Sequence, residues 1–204
     1  MDDRDKVLLL GDPRLRQPCQ PVVEFHCPEF KEHGRRLVGA LERFRAENGF
    51  GRAIAAPQLG IPFRMVAMNL GGGPHLLVNP ELTSPSVERF TLWDDCMSFP
   101  WLMIRLQRHL SVDLRYQDER GELIFRQRVE RDVSELLQHE VDHLDGILAL
   151  DRADDRDSVI ARELYLERKP YFDSFVDYVI RPTVRRGLSE RGSALDARDA
   201  QWRM

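Results

Sequence analysis

Cysteine is scarce in this chain: Cys19, Cys27 and Cys96 are the whole complement among 204 residues. So small and odd a set cannot build a disulfide framework, which points to a reducing compartment. Long apolar runs are also missing. None approaches the roughly 18 residues of a membrane span, and the run at 7–10 suits only a short strand. The start, Met1-Asp2-Asp3-Arg4-Asp5-Lys6, lacks the positive end of a secretory signal. Basic excess is absent too, since 30 Lys and Arg against 34 Asp and Glu leave a net charge of −4. A dedicated nucleic-acid binder, specific for DNA or not, needs that excess to neutralise phosphates. There are no internal repeats and no low-complexity tracts. Together these absences predict a cytoplasmic protein without a membrane role, and they leave its chemistry open.

What is present describes a globular chain. A hydrophobic content of 42% and a charged content of 31% are ordinary for a folded domain. The length suits one domain, with room for an appendage. Pro28 opens a predicted helix whose apolar stripe is Leu37, Val38, Leu41 and Phe44, and Asn48-Gly49 stops it. From residue 61 to 130 the texture is short and β-like, with strands expected over 63–70, 76–79, 87–92, 110–116 and 123–129. A second helix is predicted from Asp132, with Glu135 at capping-box spacing, Leu136, Leu137, Val141 and Leu144 as its apolar stripe, and Gly146 as its stop. Further helices are expected over 158–167 and 171–179, with a polar tail from 187 to 204. A helix, a block of strands and then helices argue for an α+β fold.

The chemistry concentrates on the second helix, in Gln138-His139-Glu140-Val141-Asp142-His143. Residues four apart share a helical face, so His139 and His143 can aim both imidazoles at one metal ion. Glu140 then stands where a carboxylate can take a proton from a water activated at that ion. This HExxH pattern leaves the third ligand open. Upstream, Cys96 offers a thiolate in an otherwise unexplained loop between strands. Downstream, Glu163 and Glu167 offer carboxylates of the kind that zincin-like metalloproteases use.

Three motifs in order then give the chain a family likeness. They are Gly51-Arg52-Ala53-Ile54-Ala55-Ala56-Pro57-Gln58, Asp94-Asp95-Cys96-Met97-Ser98, and Gln138 through Gly146, preceded by Gly11-Asp12-Pro13-Arg14-Leu15-Arg16. In this the chain resembles the peptide deformylases, whose motifs are GxGLAAxQ, EGCLS and QHExDHLxG.

The resemblance implies small antiparallel sheets around a central metal-binding helix, forming a catalytic domain over 1–150; the charged composition beyond it predicts a helical extension and tail over 151–204. It implies removal of the N-formyl group from the N-terminal methionine of newly made polypeptides. It also implies that Cys96, His139 and His143 hold one divalent ion, Fe²⁺ foremost, with Zn²⁺ or Ni²⁺ also able to occupy the site. Glu140 becomes the general acid/base, while the Gln58 side chain and the Met97 backbone N–H become oxyanion donors. Arg108 and Asp142 match positions that brace the metal helix.

The departures are Ala53 in place of the second motif glycine and Asp94-Asp95 in place of Glu-Gly. Beside the deformylase reading stand a zincin-like protease and a non-catalytic, deformylase-derived metal-binding or ribosome-associated module. For an N-formylated peptide, Ile54, Val133, Leu136 and Leu137 are candidate pocket residues. Strand edges at 50–53 or 100–104 are candidate pairing partners for its backbone. The basic run 181–186 is a candidate contact for ribosomal RNA.

Overall fold

A computed structural model describes residues 6–181. Helix α1 (Pro28–Asn48) has the predicted bounds, and each end has a local cause. The Cys27 thiol accepts from the Phe30 N–H and Pro28 occupies the first turn. At the other end Gly49 takes φ 73° and returns its N–H to the Arg45 carbonyl.

Two antiparallel sheets follow. The larger runs in the order β1 (Ala53–Ala55), β2 (Met65–Met68), β3 (His75–Thr83), β6 (Val112–Gln117) and β7 (Leu123–Val129). The smaller runs β4 (Arg89–Asp94), β5 (Leu102–His109) and β8 (Val159–Ala161). Among the described residues, 7–10 form no strand. Instead Leu8 and Leu10 donate their N–H groups to the carbonyls of Gln58 and Ser98, which ties this segment to two motif loops.

Helix α2 (Arg131–Leu144) lies between the sheets and packs on β1, β3 and β5. Alternation along β2 explains the layering. Met65 and Ala67 face the core formed with α1, where Leu37 and Leu41 are fully buried, whereas Val66 and Met68 face Val133, Leu136 and Leu137 of α2. Burying each of these large side chains contributes about 1.5–3 kcal/mol. The expected capping box of α2 does not form. The helix starts one residue earlier, so Asp132 lies inside the first turn, and Glu135 is turned inward to pair with Arg52.

The chain after residue 150 packs on the smaller sheet. The predicted helix over 158–167 begins instead as β8, which pairs Ile160 with Met103 before α3 (Arg162–Glu167) starts. Only a short α4 (Lys169–Asp173) stands near the helix expected over 171–179. Beyond it Tyr178 bridges to Leu92 on the free edge of β4. Beyond Arg181, the basic run and the polar tail lie outside the described residues. No described helix is long and apolar enough to cross a membrane.

Candidate active site

The site forms where α2 meets the turn after β4. Cys96 sits in that turn, and the register that pairs Asp94 with Ile104 places it over the face of α2 carrying His139 and His143. The Cys96 sulfur and one nitrogen from each imidazole lie within 4.8 Å of one another, and all three residues are buried. The Cys96 Sγ stands 3.2 Å from His143 Nε2.

Buried polar partners orient these groups. Asp94 Oδ2 accepts from His139 Nδ1 at 2.9 Å, which fixes the ring so that Nε2 faces the cluster. Arg108 bridges Asp94 and Asp142, and Arg152 adds a bidentate grip on Asp142 at 2.5 and 2.6 Å. The helix is therefore held from its rear by two guanidinium groups, of which sequence reading anticipated Arg108.

Electrostatics follow from this packing. Burial alone would lower the His139 pKa and raise that of Asp94. Their mutual pairing, helped by Arg108, overrides both tendencies, holding His139 well above the usual histidine range and Asp94 below the usual carboxylate range. Burial pushes His143 well below the usual histidine range, and the charge of His139 adds to this, so its neutral ring is ready to ligate. Burial raises the Glu140 carboxyl to about 7. Its Oε2 is buried without a protein partner, as is His143 Nδ1.

Gln58 closes the cluster from the other side. Its Oε1 accepts the Ala55 N–H at 2.9 Å, so Nε2 is the end that faces Ser98 Oγ (3.1 Å) and Cys96 Sγ (3.6 Å). Gln58, Met97, Glu140, His139 and Cys96 all line one cleft. Gly51 at its rim has φ 110°, and a Cβ there would lie 2.7 Å from the Met97 side chain. Ala53, at the second motif glycine, is an extended and buried residue of β1 packed in the core. Its methyl group therefore needs no special backbone.

The chain's other departure is accounted for by a contact. Asp95 binds Arg162 at 2.7 Å, and the Arg162 guanidinium lies 4.1 Å from the centre of the Phe50 ring. This fastens α3 against the cleft, which Tyr165, Leu166 and Lys169 also line. Glu163 and Glu167 do not line it, so α3 supplies no carboxylate to the metal-ligand cluster. Of the four apolar pocket candidates only Leu136 lines the cleft, while Ile54, Val133 and Leu137 are core residues. Of the strand edge expected near 100–104, residues 102–104 pair with β8 on one side, whereas β4 reaches only Ile104 on the other.

Sequence reading missed Asp94 as a histidine partner, Arg152 as a brace, and the Arg52–Glu135 pair, which also borders the cleft. Asp94 carried a signal in its position two residues before Cys96. The other two are long-range pairings without a local signature.

The buried thiol and two imidazoles, with an unpartnered carboxylate beside them, suit a divalent ion held by three protein ligands with a position left open. Residues 4–159 match the polypeptide deformylase family. A peptide deformylase of Thermotoga neapolitana is 35% identical over 147 residues, covering 72% of this chain and 85% of that protein. The crystal structure of the Thermotoga maritima peptide deformylase aligns with TM-score 0.67 at 31% identity, over 74% of this chain and 97% of that one. That of the Synechococcus elongatus enzyme in complex with actinonin aligns with TM-score 0.67 at 27% identity, over 87% and 90%. With its three motifs folded into one cleft and the match extending over most of its length, this chain belongs to the polypeptide deformylase family.

Proposed function

We propose that this protein is a metal-dependent hydrolase that removes the N-formyl group from the N-terminal methionine of newly made polypeptides, releasing formate and a free amine. The convergence of Cys96, His139 and His143 beside the buried Glu140 carries this reading. Cys96, His139 and His143 hold one divalent ion. When bound, the ion supplies a Lewis acid that acidifies water and polarises the formyl carbonyl.

The chain's own groups do the rest. Glu140, with its carboxyl raised toward neutrality, takes a proton from the water attacking the formyl carbon and delivers it to the departing amine. Gln58 Nε2, held in place by the Ala55 N–H on its other end, donates to the carbonyl oxygen as negative charge develops there, together with the Met97 backbone N–H. The Asp94 carboxylate keeps His139 in the tautomer that presents Nε2.

Fe²⁺ is the ion in this reading, following the family likeness. A donor set of one thiolate and two imidazoles also accepts Zn²⁺ and Ni²⁺. A cytoplasmic location and an N-formylated peptide as partner belong to the same reading. Turnover of formyl-Met-Ala-Ser by protein loaded with Fe²⁺ under anaerobic conditions is the test. Absence of turnover with Fe²⁺, Zn²⁺ and Ni²⁺ alike would sink it.

A further inference from the structure

The cleft holds a buried ion pair for which the reaction, as derived above, has no use. Arg52 Nη2 binds Glu135 Oε1, and Arg52 Nη1 donates to the Asp132 carbonyl at 2.8 Å. The Arg52 side chain is 11% exposed and that of Glu135 1%. Both residues line the cleft that Cys96, His139 and Glu140 also line. A buried pair of this kind is weak as a stability device, because apolar residues of similar volume often serve as well or better. Its presence at the substrate surface therefore points to recognition.

We propose that Arg52 and Glu135 read a hydrogen-bonding side chain on the formylated residue of the substrate, so that the cleft accepts a polar first side chain at least as well as an apolar one of the same size. This rests on the deformylase reading and extends its substrate range.

Position is the first argument. Glu135 lies one helical turn before His139 on the same face, where neighbouring Cβ atoms stand about 5–6 Å apart. The first side chain of an N-formyl peptide branches two bonds from the formyl nitrogen. It therefore falls within about a turn of the reacting carbon.

Chemistry is the second argument. The hydrogen bonds of the pair use Glu135 Oε1 and one N–H from each terminal nitrogen of Arg52. Glu135 Oε2 and the remaining guanidinium N–H groups carry further acceptor and donor capacity. A neutral pair offering both an acceptor and donors complements a group that both donates and accepts, such as the primary amide of glutamine. Of the apolar candidates for this wall, Ile54, Val133 and Leu137 belong to the core; Leu136 lines the cleft with Arg52 and Glu135, and Phe50, Trp93, Met97 and Met103 line it as well.

Glutamine and norleucine have nearly the same length, so comparing them isolates hydrogen bonding from size. The experiment measures kcat/KM for formyl-Gln-Ala-Ser and formyl-norleucyl-Ala-Ser with the wild-type protein and with Arg52→Leu/Glu135→Leu. The expected wild-type Gln/norleucine ratio is one or more, falling at least about tenfold in the double variant, since a site built around hydrogen bonds discriminates far more sharply than one built on a methylene. A wild-type ratio below one overturns the proposal whatever the variant does, including if it fails to fold. A ratio that the double variant leaves unchanged also overturns it. Calorimetry of the free product peptides Gln-Ala-Ser and norleucyl-Ala-Ser on Zn²⁺-loaded protein reads the same ratio as dissociation constants. If no formyl peptide is turned over at all, the deformylase reading fails, and the calorimetric ratio still decides this inference by the same criterion.

Discussion

Asp94 Oδ2 accepts from His139 Nδ1 at 2.9 Å and stands 3.2 Å from Arg108 Nη2, so one carboxylate oxygen joins the metal-ligand cluster to the brace behind α2. Asp94 is the last residue of β4, two positions before Cys96. The same strand end therefore places the thiol and orients one of the imidazoles.

Asp94→Asn keeps the shape of this contact and removes the charge. The expected result is a loss of metal affinity of about 10–100-fold, the usual effect of removing a carboxylate behind a ligating histidine. Competition with a chromophoric chelator measures it, and an unchanged dissociation constant would contradict the assigned role.

Glu140→Gln separates ligation from proton transfer. The variant should bind one ion per chain while kcat falls by about 10²–10⁴-fold, the range of a lost general acid/base. Cys96→Ala should instead lose the ion. Metal analysis alongside kinetics reads both effects. A Cys96→Ala protein that kept full metal occupancy would revive a ligand set without the thiol.

Asp177 supplies the pH dependence best isolated from the metal-ligand cluster. Its carboxylate accepts from the Thr91 N–H at 2.9 Å and from Thr91 Oγ1 at 2.7 Å, and these bonds hold its pKa below the usual carboxylate value. A depressed native pKa contributes stability that is present above the unfolded pKa and lost as pH falls through the native one. In thermal melts Asp177→Asn should lie below wild type at neutral pH. The gap should begin to close near about pH 4, where the unfolded carboxyl takes up its proton, and vanish only when pH falls below the depressed native pKa. A gap that widened toward acid would have the wrong sign.

Gly146 ends the third motif at φ 75°, and a Cβ there would stand 2.6 Å from the Arg16 carbonyl oxygen. Both the left-handed backbone and the contact with main chain oppose substitution, so Gly146→Ala should cost about 1–3 kcal/mol. Urea unfolding of the metal-free protein checks this without interference from metal binding.

Particular residues show why some of this was legible in the sequence. Helix α1 was readable to the residue because its limits are local: Pro28 suits a first turn and Gly49 suits a left-handed stop. Strand β7 was equally clear, whereas β1 and β5 were anticipated only as strand edges at 50–53 and 100–104. β1 comprises only Ala53–Ala55, too short to show alternation, and Arg105 and Arg108 break the apolar pattern of β5. Arg108 is buried there only because Asp94 and Asp142 meet it, and neither is its neighbour in sequence.

The sequence by itself determined the ligands that could act together, because helical periodicity puts His139, His143 and Glu140 near one another wherever α2 lies. Ordered motifs named Cys96 and Gln58 as companions. Tertiary structure alone decided what surrounds them. Arg52 reaches Glu135 across 83 residues, Asp95 fastens Arg162 across 67, and residues after 150 become a strand and a cleft wall. The physical reason is that helix periodicity and caps act over a few residues. A charge buried in a cleft is instead acceptable only where a distant partner meets it, and no local pattern records that partner.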